Sequence, residues 1–125
     1  MRKTVLIVDD NIFVRHALCE FFERETDFKV CGVAENGREA INEACRRHPD
    51  LIVLDVTMPV MNGLDAARVL QQIMPAVPLI LYSASEDRSC EQQAQSIGVA
   101  AVVSKSENIS ALISRARDLV SRKAA

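Results

Sequence analysis

The chain has 125 residues, of which 49% are hydrophobic and 26% are charged, so length and composition predict one globular domain over residues 1–125. Its 15 basic and 17 acidic side chains give a net charge of -2, which argues against direct nucleic-acid binding. No apolar run approaches the roughly 20 residues that cross a bilayer, and no signal-peptide pattern opens the chain. We therefore expect a cytoplasmic protein without a membrane partner.

The cysteines and histidines are too scattered to predict a zinc site. Zinc needs ligands in close pairs, and no C-x-x-C pair occurs among Cys19, Cys31, Cys45 and Cys90. We expect these residues to be small, buried or half-buried thiols in a reducing cytosol, with a redox role as the alternative. His16 and His48 are predicted to lie on the surface, because neither follows a predicted strand.

Short, wholly apolar runs alternate along the chain with longer segments of helical spacing. The runs predict buried parallel strands at residues 5–8, 51–54, 79–81 and 101–103, and a weaker β-like stretch covers residues 28–34. The apolar stripes that predict helices are Val14, Ala17, Leu18 and Phe21; Ala40, Ile41 and Ala44; Leu64, Ala67, Val69, Leu70 and Ile73; and Ile109, Leu112, Ile113, Ala116 and Val120. A more polar helix is expected from Asp87 to Ile97.

Turn signals separate these segments and complete a β-α alternation repeated five times. Asn36-Gly37 precedes the second helix, Pro49-Asp50 follows it, and Gly98 ends the fourth. With right-handed crossovers, this alternation predicts a doubly wound α/β fold: a five-stranded parallel sheet in the flavodoxin-like order 2-1-3-4-5. Ligands of such folds bind at the carboxyl ends of the strands.

Polar residues follow four of the predicted strands. Asp9 and Asp10 follow the first, Asp55 the third, Ser83 the fourth and Lys105 the fifth. Close carboxylates repel one another unless a positive charge intervenes, and Mg²⁺ prefers oxygen ligands and accepts phosphate oxygens. The residues therefore predict a magnesium-dependent phosphoryl site.

Each of these residues also has an ordinary structural interpretation. Asp10 or Asn11 could cap the helix that begins near Ile12, Ser83 could occupy a turn, and a lone Lys105 would usually be a surface lysine. Their occurrence together at neighbouring strand ends favours the phosphoryl site.

The sequence resembles the receiver domains of bacterial two-component response regulators over nearly its whole length. The residues that carry the resemblance are Val5-Leu6-Ile7-Val8-Asp9-Asp10, Leu54-Asp55-Val56-Thr57-Met58-Pro59 with Asn62-Gly63, Ser83-Ala84, and Lys105. The stretch from Cys31 to Ala66 looks most like receivers that precede LuxR-type outputs.

The resemblance implies that Asp55 accepts a phosphoryl group from the phosphohistidine of a sensor kinase. It also implies magnesium bound by Asp10, Asp55 and the Thr57 carbonyl, with Asp9 acting through water. Lys105 would offset phosphoryl charge and Ser83 would report phosphorylation, while the phosphate loop would include Val56, Thr57 and Ala84. Met58-Pro59 and Gly63 would shape that loop. The domain would not be an enzyme in the usual sense, although it would assist its own phosphotransfer and dephosphorylation.

Two positions depart from the family pattern and concern signal output. Receivers usually carry an aromatic residue where this chain has Val102, and often proline where it has Ser106. Because a β-branched side chain has stiff χ1 preferences, we expect switching to centre on residues 83–97 and not on Val102.

Several alternatives to a phosphoacceptor receiver are open. A haloacid dehalogenase-type hydrolase places its nucleophile after the first strand, and in a flavodoxin the Asp9-Asp10 pair would repel the flavin phosphate. A pseudo-receiver, never phosphorylated and used only as an interaction module, is the main rival. No output domain is expected within these residues, so the implied partners are a sensor kinase, a downstream output domain or protein, and a possible second copy bound through the fourth helix, fifth strand and fifth helix.

Overall fold

The structure is a computed structural model that describes residues 2–84 and 88–124, the last three of these by backbone alone. Five parallel strands form one sheet in the order β2-β1-β3-β4-β5. The predicted α/β fold and strand order are confirmed. The elements in chain order are β1 (Lys3–Val8), α1 (Ile12–Arg24), β2 (Phe28–Ala34), α2 (Gly37–Arg47), β3 (Leu51–Leu54), α3 (Gly63–Ile73), β4 (Leu79–Ser83), α4 (Arg88–Ile97), β5 (Ala101–Ser104) and α5 (Ile109–Ala124).

Helices cover both faces of the sheet, so the strands are buried on both sides. Alternate residues of β1 point to opposite layers: Val5 and Ile7 pack with α1 and α5, whereas Leu6 and Val8 pack with α2, α3 and α4. This burial explains why the strands are apolar throughout and do not alternate with polar residues. We call these two layers the α1/α5 layer and the α2–α4 layer.

Asparagine side chains fix the beginnings of the first three helices. Asn11 accepts hydrogen bonds from two backbone N–H groups of α1, Asn36 caps α2, and Asn62 caps α3. Asn11 and not Asp10 is therefore the cap of α1. Just after the C-terminal end of α4, Gly98 has a φ of 100°. This left-handed conformation suits glycine and ends the helix, as predicted.

The apolar face of α1 differs from the predicted stripe by one position. Leu18 and Phe22 are buried, while Ala17 is exposed and Phe21 is 36% exposed. Phe22 stacks edge-on against Phe28, with ring centroids 5.2 Å apart.

Three smaller expectations about individual residues also have outcomes in the structure. Ile73, predicted to be in the α3 stripe, is 49% exposed, and Cys45 is exposed although a buried or half-buried thiol was expected. His16 and His48 are exposed, as predicted. The expected start of α4 at Asp87 lies outside the described residues.

Within the described ranges, no helix combines the length and the apolar character needed to span a membrane.

Candidate functional site

The carboxyl ends of the central strands bring Asp9, Asp55 and Lys105 together. Val8 pairs with Leu54 in the sheet, so Asp9 and Asp55, one residue further along, leave adjacent strands side by side. Lys105 Nζ lies 2.9 Å from Asp9 Oδ2 and 3.3 Å from Asp55 Oδ1. One ammonium is thus shared by two carboxylates. The positions of these residues after their strands predicted that they converge, but not that Lys105 has two carboxylate partners.

Each polar group of Asp9, in the backbone and in the side chain, makes a hydrogen bond. Its backbone N–H donates to Ala34 O, its carbonyl accepts from Arg15 Nη1 at 2.8 Å, and its Oδ1 accepts the Asn11 N–H at 2.9 Å. With Oδ2 bound to Lys105 and only 1% of the residue exposed, Asp9 is a fixed negative charge beneath the site.

Asp55 is a buried carboxylate whose ionised form is penalised by its surroundings. Burial raises the pKa of Asp55 above its ordinary value, and the charge of Asp9 raises it further, while Lys105 and the Val56 N–H partly oppose the shift. Burial alone would lower the pKa of Lys105, but its hydrogen bond to Asp9 and the charge of Asp55 outweigh burial and raise it. The lysine is therefore a stable positive charge at neutral pH.

The carboxylates of Asp9, Asp10 and Asp55 form a cluster suited to a divalent cation. Each offers an oxygen, and these oxygens lie within 4.8 Å of one another. Asp10 is exposed, whereas the other two are buried, so the cluster opens toward solvent on the Asp10 side. When all three are ionised, Lys105 neutralises only one of three negative charges. The remaining two match the charge of Mg²⁺, which also prefers such oxygen ligands.

The loop that follows Asp55 is held tightly against the end of β3. Gly63 N–H donates to Val56 O at 2.8 Å, and a Cβ atom at Gly63 would lie only 2.0 Å from Asp55 O. Glycine is thus required there for close backbone approach. Further along the loop, Val60 has a φ of 68°, and Met61 N–H donates to Pro59 O at 2.7 Å, which is the pattern of a γ-turn.

Among the other predicted loop and switch residues, Val56 contacts the cluster directly, because its backbone N–H donates to Asp55 Oδ1 at 2.8 Å. Thr57 and Ala84 are exposed and Val56 is half-buried. Ser83 is 2% exposed, and its carbonyl accepts the Lys105 N–H at 2.8 Å. Val102 is half-buried and packs against the α2–α4 layer.

Two residues near the cluster were not predicted from the sequence. Arg15 reaches the Asp9 carbonyl from α1, and Tyr82 places its ring 5.7 Å from Lys105 Nζ. The spacing of Arg15, six residues after Asp9 and about one turn into a capped helix, could have suggested the first contact. Only the strand register reveals the second.

The family model described as "Response regulator receiver domain" matches residues 5–117. Among curated proteins, the chain is 36% identical over 105 residues to "Protein-glutamate methylesterase/protein-glutamine glutaminase 1" of Methanosarcina acetivorans, covering 82% of the chain and 30% of that protein. It is 40% identical over 98 residues to the protein of the same description, without the number, from Pyrococcus abyssi, covering 78% and 26%. The chain thus spans under a third of the length of these relatives.

Solved structures have the same fold. The response regulator domain of Thermotoga maritima CheB superposes with a TM-score of 0.90 at 26% identity, covering 97% of this chain and 98% of that one. A two-component response regulator of the LuxR family from Aurantimonas sp. superposes with a TM-score of 0.92 at 23% identity, covering 97% and 86%; at this identity the likeness shows the fold alone. From the family match and the shared fold, the chain belongs to the response regulator receiver domains, the phosphorylation-dependent receivers of two-component signalling.

Proposed function

We propose that Asp55 is the phosphoacceptor of this receiver and that a sensor kinase phosphohistidine is its donor. The single observation that carries the proposal is the buried Asp55 carboxylate beside Lys105, with a Nζ–Oδ1 distance of 3.3 Å, in a cluster with Asp9 and Asp10. Burial destabilises the ionised carboxylate of an acid held at a strand end in this way, and formation of a bond to phosphorus relieves that destabilisation. Such an acid is therefore poised to act as a nucleophile.

The contacts of Asp55 indicate which oxygen reacts. Both the Val56 N–H and the Lys105 ammonium contact Oδ1. Oδ2 is then the oxygen that attacks phosphorus. The N–P bond of the phosphohistidine breaks as the O–P bond forms, the imidazole nitrogen keeps the bonding electrons and takes up a proton, and the product is an acyl phosphate. Lys105 stabilises charge on the phosphoryl oxygens as the bonds change.

Magnesium is the proposed cofactor, held by Asp10, Asp55 and the Thr57 carbonyl, with Asp9 acting through water. The fully engaged carboxylate oxygens of Asp9 support that indirect role, because both already accept hydrogen bonds from the protein. When bound, the ion supplies positive charge that offsets the negative charge of the phosphoryl oxygens. We place Val56, Thr57 and Ala84 in the phosphate loop, and Ser83 as the residue that reports phosphorylation.

The downstream partner is proposed to be an output domain or a separate protein that reads residues near β4, α4 and β5. The curated relatives are named as methylesterases and glutaminases, so regulation of an enzyme domain is one form that output could take. The four cysteines lie within the described residues and form no disulfide bond, which is consistent with the reducing cytoplasm in which we place this receiver.

The proposal is tested by mass spectrometry after incubation with acetyl phosphate and magnesium. Wild type should gain one phosphoryl mass, and Asp55→Asn should gain none. Asp65→Asn is the matched control, because Asp65 is an exposed carboxylate paired with Arg68 on α3; it should be labelled like wild type. Full labelling of Asp55→Asn would place the acceptor elsewhere, and an unlabelled wild type would favour a pseudo-receiver.

A further inference from the structure

The Lys105 ammonium contacts a residue that follows a distant strand of the sheet. Lys105 follows β5 and Asp9 follows β1, with β3 and β4 between them. Three strand spacings amount to about 14 Å, yet Lys105 Nζ and Asp9 Oδ2 are 2.9 Å apart. The lysine side chain must therefore extend across the end of β4, where Tyr82 lies.

Tyr82 occupies the position on β4 that faces this extended side chain. It pairs with Val103, so Lys105, two residues further along the chain and just after β5, is its diagonal neighbour on the same face of the sheet. Leu81 pairs with Leu54, and one further step along both strands puts Tyr82 beside Asp55. The residue is 7% exposed and belongs to the α1/α5 layer, which fixes the ring in place.

The contact between the Tyr82 ring and the ammonium is within cation–π range. The distance from Lys105 Nζ to the ring centroid is 5.7 Å, inside the range of about 6 Å in which the ring quadrupole attracts a cation. A lysine side chain is long and flexible, so without a surface beneath it the ammonium would sample many rotamers. A buried aromatic ring restricts that freedom without neutralising the charge.

We propose that Tyr82 is a positioning residue for Lys105: its ring is the platform that keeps the ammonium over Asp9 and Asp55. The consequence for phosphorylation rests on the proposed function of Asp55. The platform requires the ring and not the hydroxyl group. It makes Tyr82 a determinant of how fast Asp55 reacts, although Tyr82 itself touches no reacting atom.

The rate of Asp55 phosphorylation by acetyl phosphate tests the role of the ring. Tyr82→Phe keeps the aromatic face and should react within about twofold of wild type, while Tyr82→Leu should react about fivefold more slowly. Phe28→Leu is the matched control, since Phe28 belongs to the same layer but lies at the beginning of β2, away from the site. Its rate should equal that of wild type, and thermal melts identify the folded fraction of each variant. A wild-type rate for Tyr82→Leu, or an equal loss in Tyr82→Phe, would overturn the proposal.

An optical measurement separates this inference from the proposed function. The chain has one tyrosine and no tryptophan, so near-ultraviolet circular dichroism and tyrosine emission report chiefly on the surroundings of Tyr82. Without any phosphodonor, Lys105→Met should change both signals, whereas Lys29→Met, at an exposed position on β2, should change neither. Unchanged signals in Lys105→Met would refute the contact, whether or not Asp55 is labelled. A wild type that shows the contact but takes no phosphoryl group would refute the function proposed for Asp55 and leave the platform standing.

Discussion

Replacing Asp55 by asparagine should stabilise the folded domain while abolishing phosphorylation. The substitution keeps the size of the side chain and the oxygen that accepts the Val56 N–H, but removes a charge from a cluster that contains Asp9 and Lys105. Natural proteins often sacrifice stability at functional sites in this way. The cost of the Asp55 charge to the free energy of unfolding can be calculated from its distances to Lys105 and Asp9.

Three contributions decide the size of the effect. At an effective dielectric constant of about 20, Lys105 at 3.3 Å attracts the Asp55 charge by about 5 kcal/mol, and Asp9, within 4.8 Å, repels it by about 3.5 kcal/mol or more. The net attraction is then about 1.5 kcal/mol at most, whereas removing a carboxylate from water costs several kcal/mol. We expect Asp55→Asn to raise the free energy of unfolding by about 1–2 kcal/mol near neutral pH.

The pH dependence of this gain has a definite sign. The pKa of Asp55 in the folded state is raised above its ordinary value of 3.8, chiefly by burial, so the penalty applies when Asp55 is ionised. As the pH falls through the raised pKa, Asp55 takes up a proton in wild type and the penalty disappears. The stability difference between Asp55→Asn and wild type should therefore be largest near neutral pH and should shrink on acidification.

Urea denaturation in EDTA measures this difference at a series of pH values between about 7 and about 4. Asp65→Asn is the control, because it removes an exposed carboxylate that pairs with Arg68 at 2.7 Å; it should lower stability by about 0.5 kcal/mol. The reasoning fails if Asp55→Asn is less stable than wild type near neutral pH, or if its advantage grows as the pH falls.

Three further predictions follow from the site. Gly63→Ala should lower the free energy of unfolding by about 2–4 kcal/mol, because the new Cβ would lie 2.0 Å from Asp55 O; Gly32→Ala, whose nearest neighbour would be a flexible side-chain oxygen at 3.3 Å, should change it by about 1 kcal/mol or less. Asp10→Ala should weaken magnesium binding measured by calorimetry, and an affinity equal to that of wild type would place the ion elsewhere. Phe13 is 82% exposed on the first turn of α1, and we expect this apolar side chain to contact the kinase. Phe13→Ala should slow transfer from a cognate kinase by about tenfold but leave acetyl phosphate labelling unchanged, and equal slowing with both donors would contradict that role.

The residues after the strands were predictable because the strands are unambiguous. Four apolar residues between Asp50 and Asp55 define β3 without any competing pattern, and the prediction of 51–54 matches the structure. Once the strands are known, the parallel topology gathers their carboxyl ends at one edge of the sheet. The proximity of Asp9, Asp55 and Lys105 therefore follows from the strand assignments together with the parallel topology.

Other features depend on contacts that local patterns do not contain. Phe21 and Phe22 both fit a helical stripe, and the choice of Phe22 as the buried one depends on its contact with Phe28 on the next strand. Tyr82 ends an apolar run in which no alternation marks one face. Its place under Lys105 follows from the register of β4 against β5, which a single sequence does not specify.

The γ-turn at Val60 bears on how a partner would meet this domain. A β-branched residue is disfavoured at a φ of 68°, and its side chain is 75% exposed, so Val60 gains little burial in return. The turn is imposed by its surroundings, among them the hydrogen bond from Gly37 N–H to Met61 O at 2.8 Å. A loop fixed in this way loses little conformational entropy on association. A docking protein would therefore meet an already ordered, partly apolar loop. Its affinity would depend on how well it fits the shape of this loop more than on the entropy cost of ordering the loop.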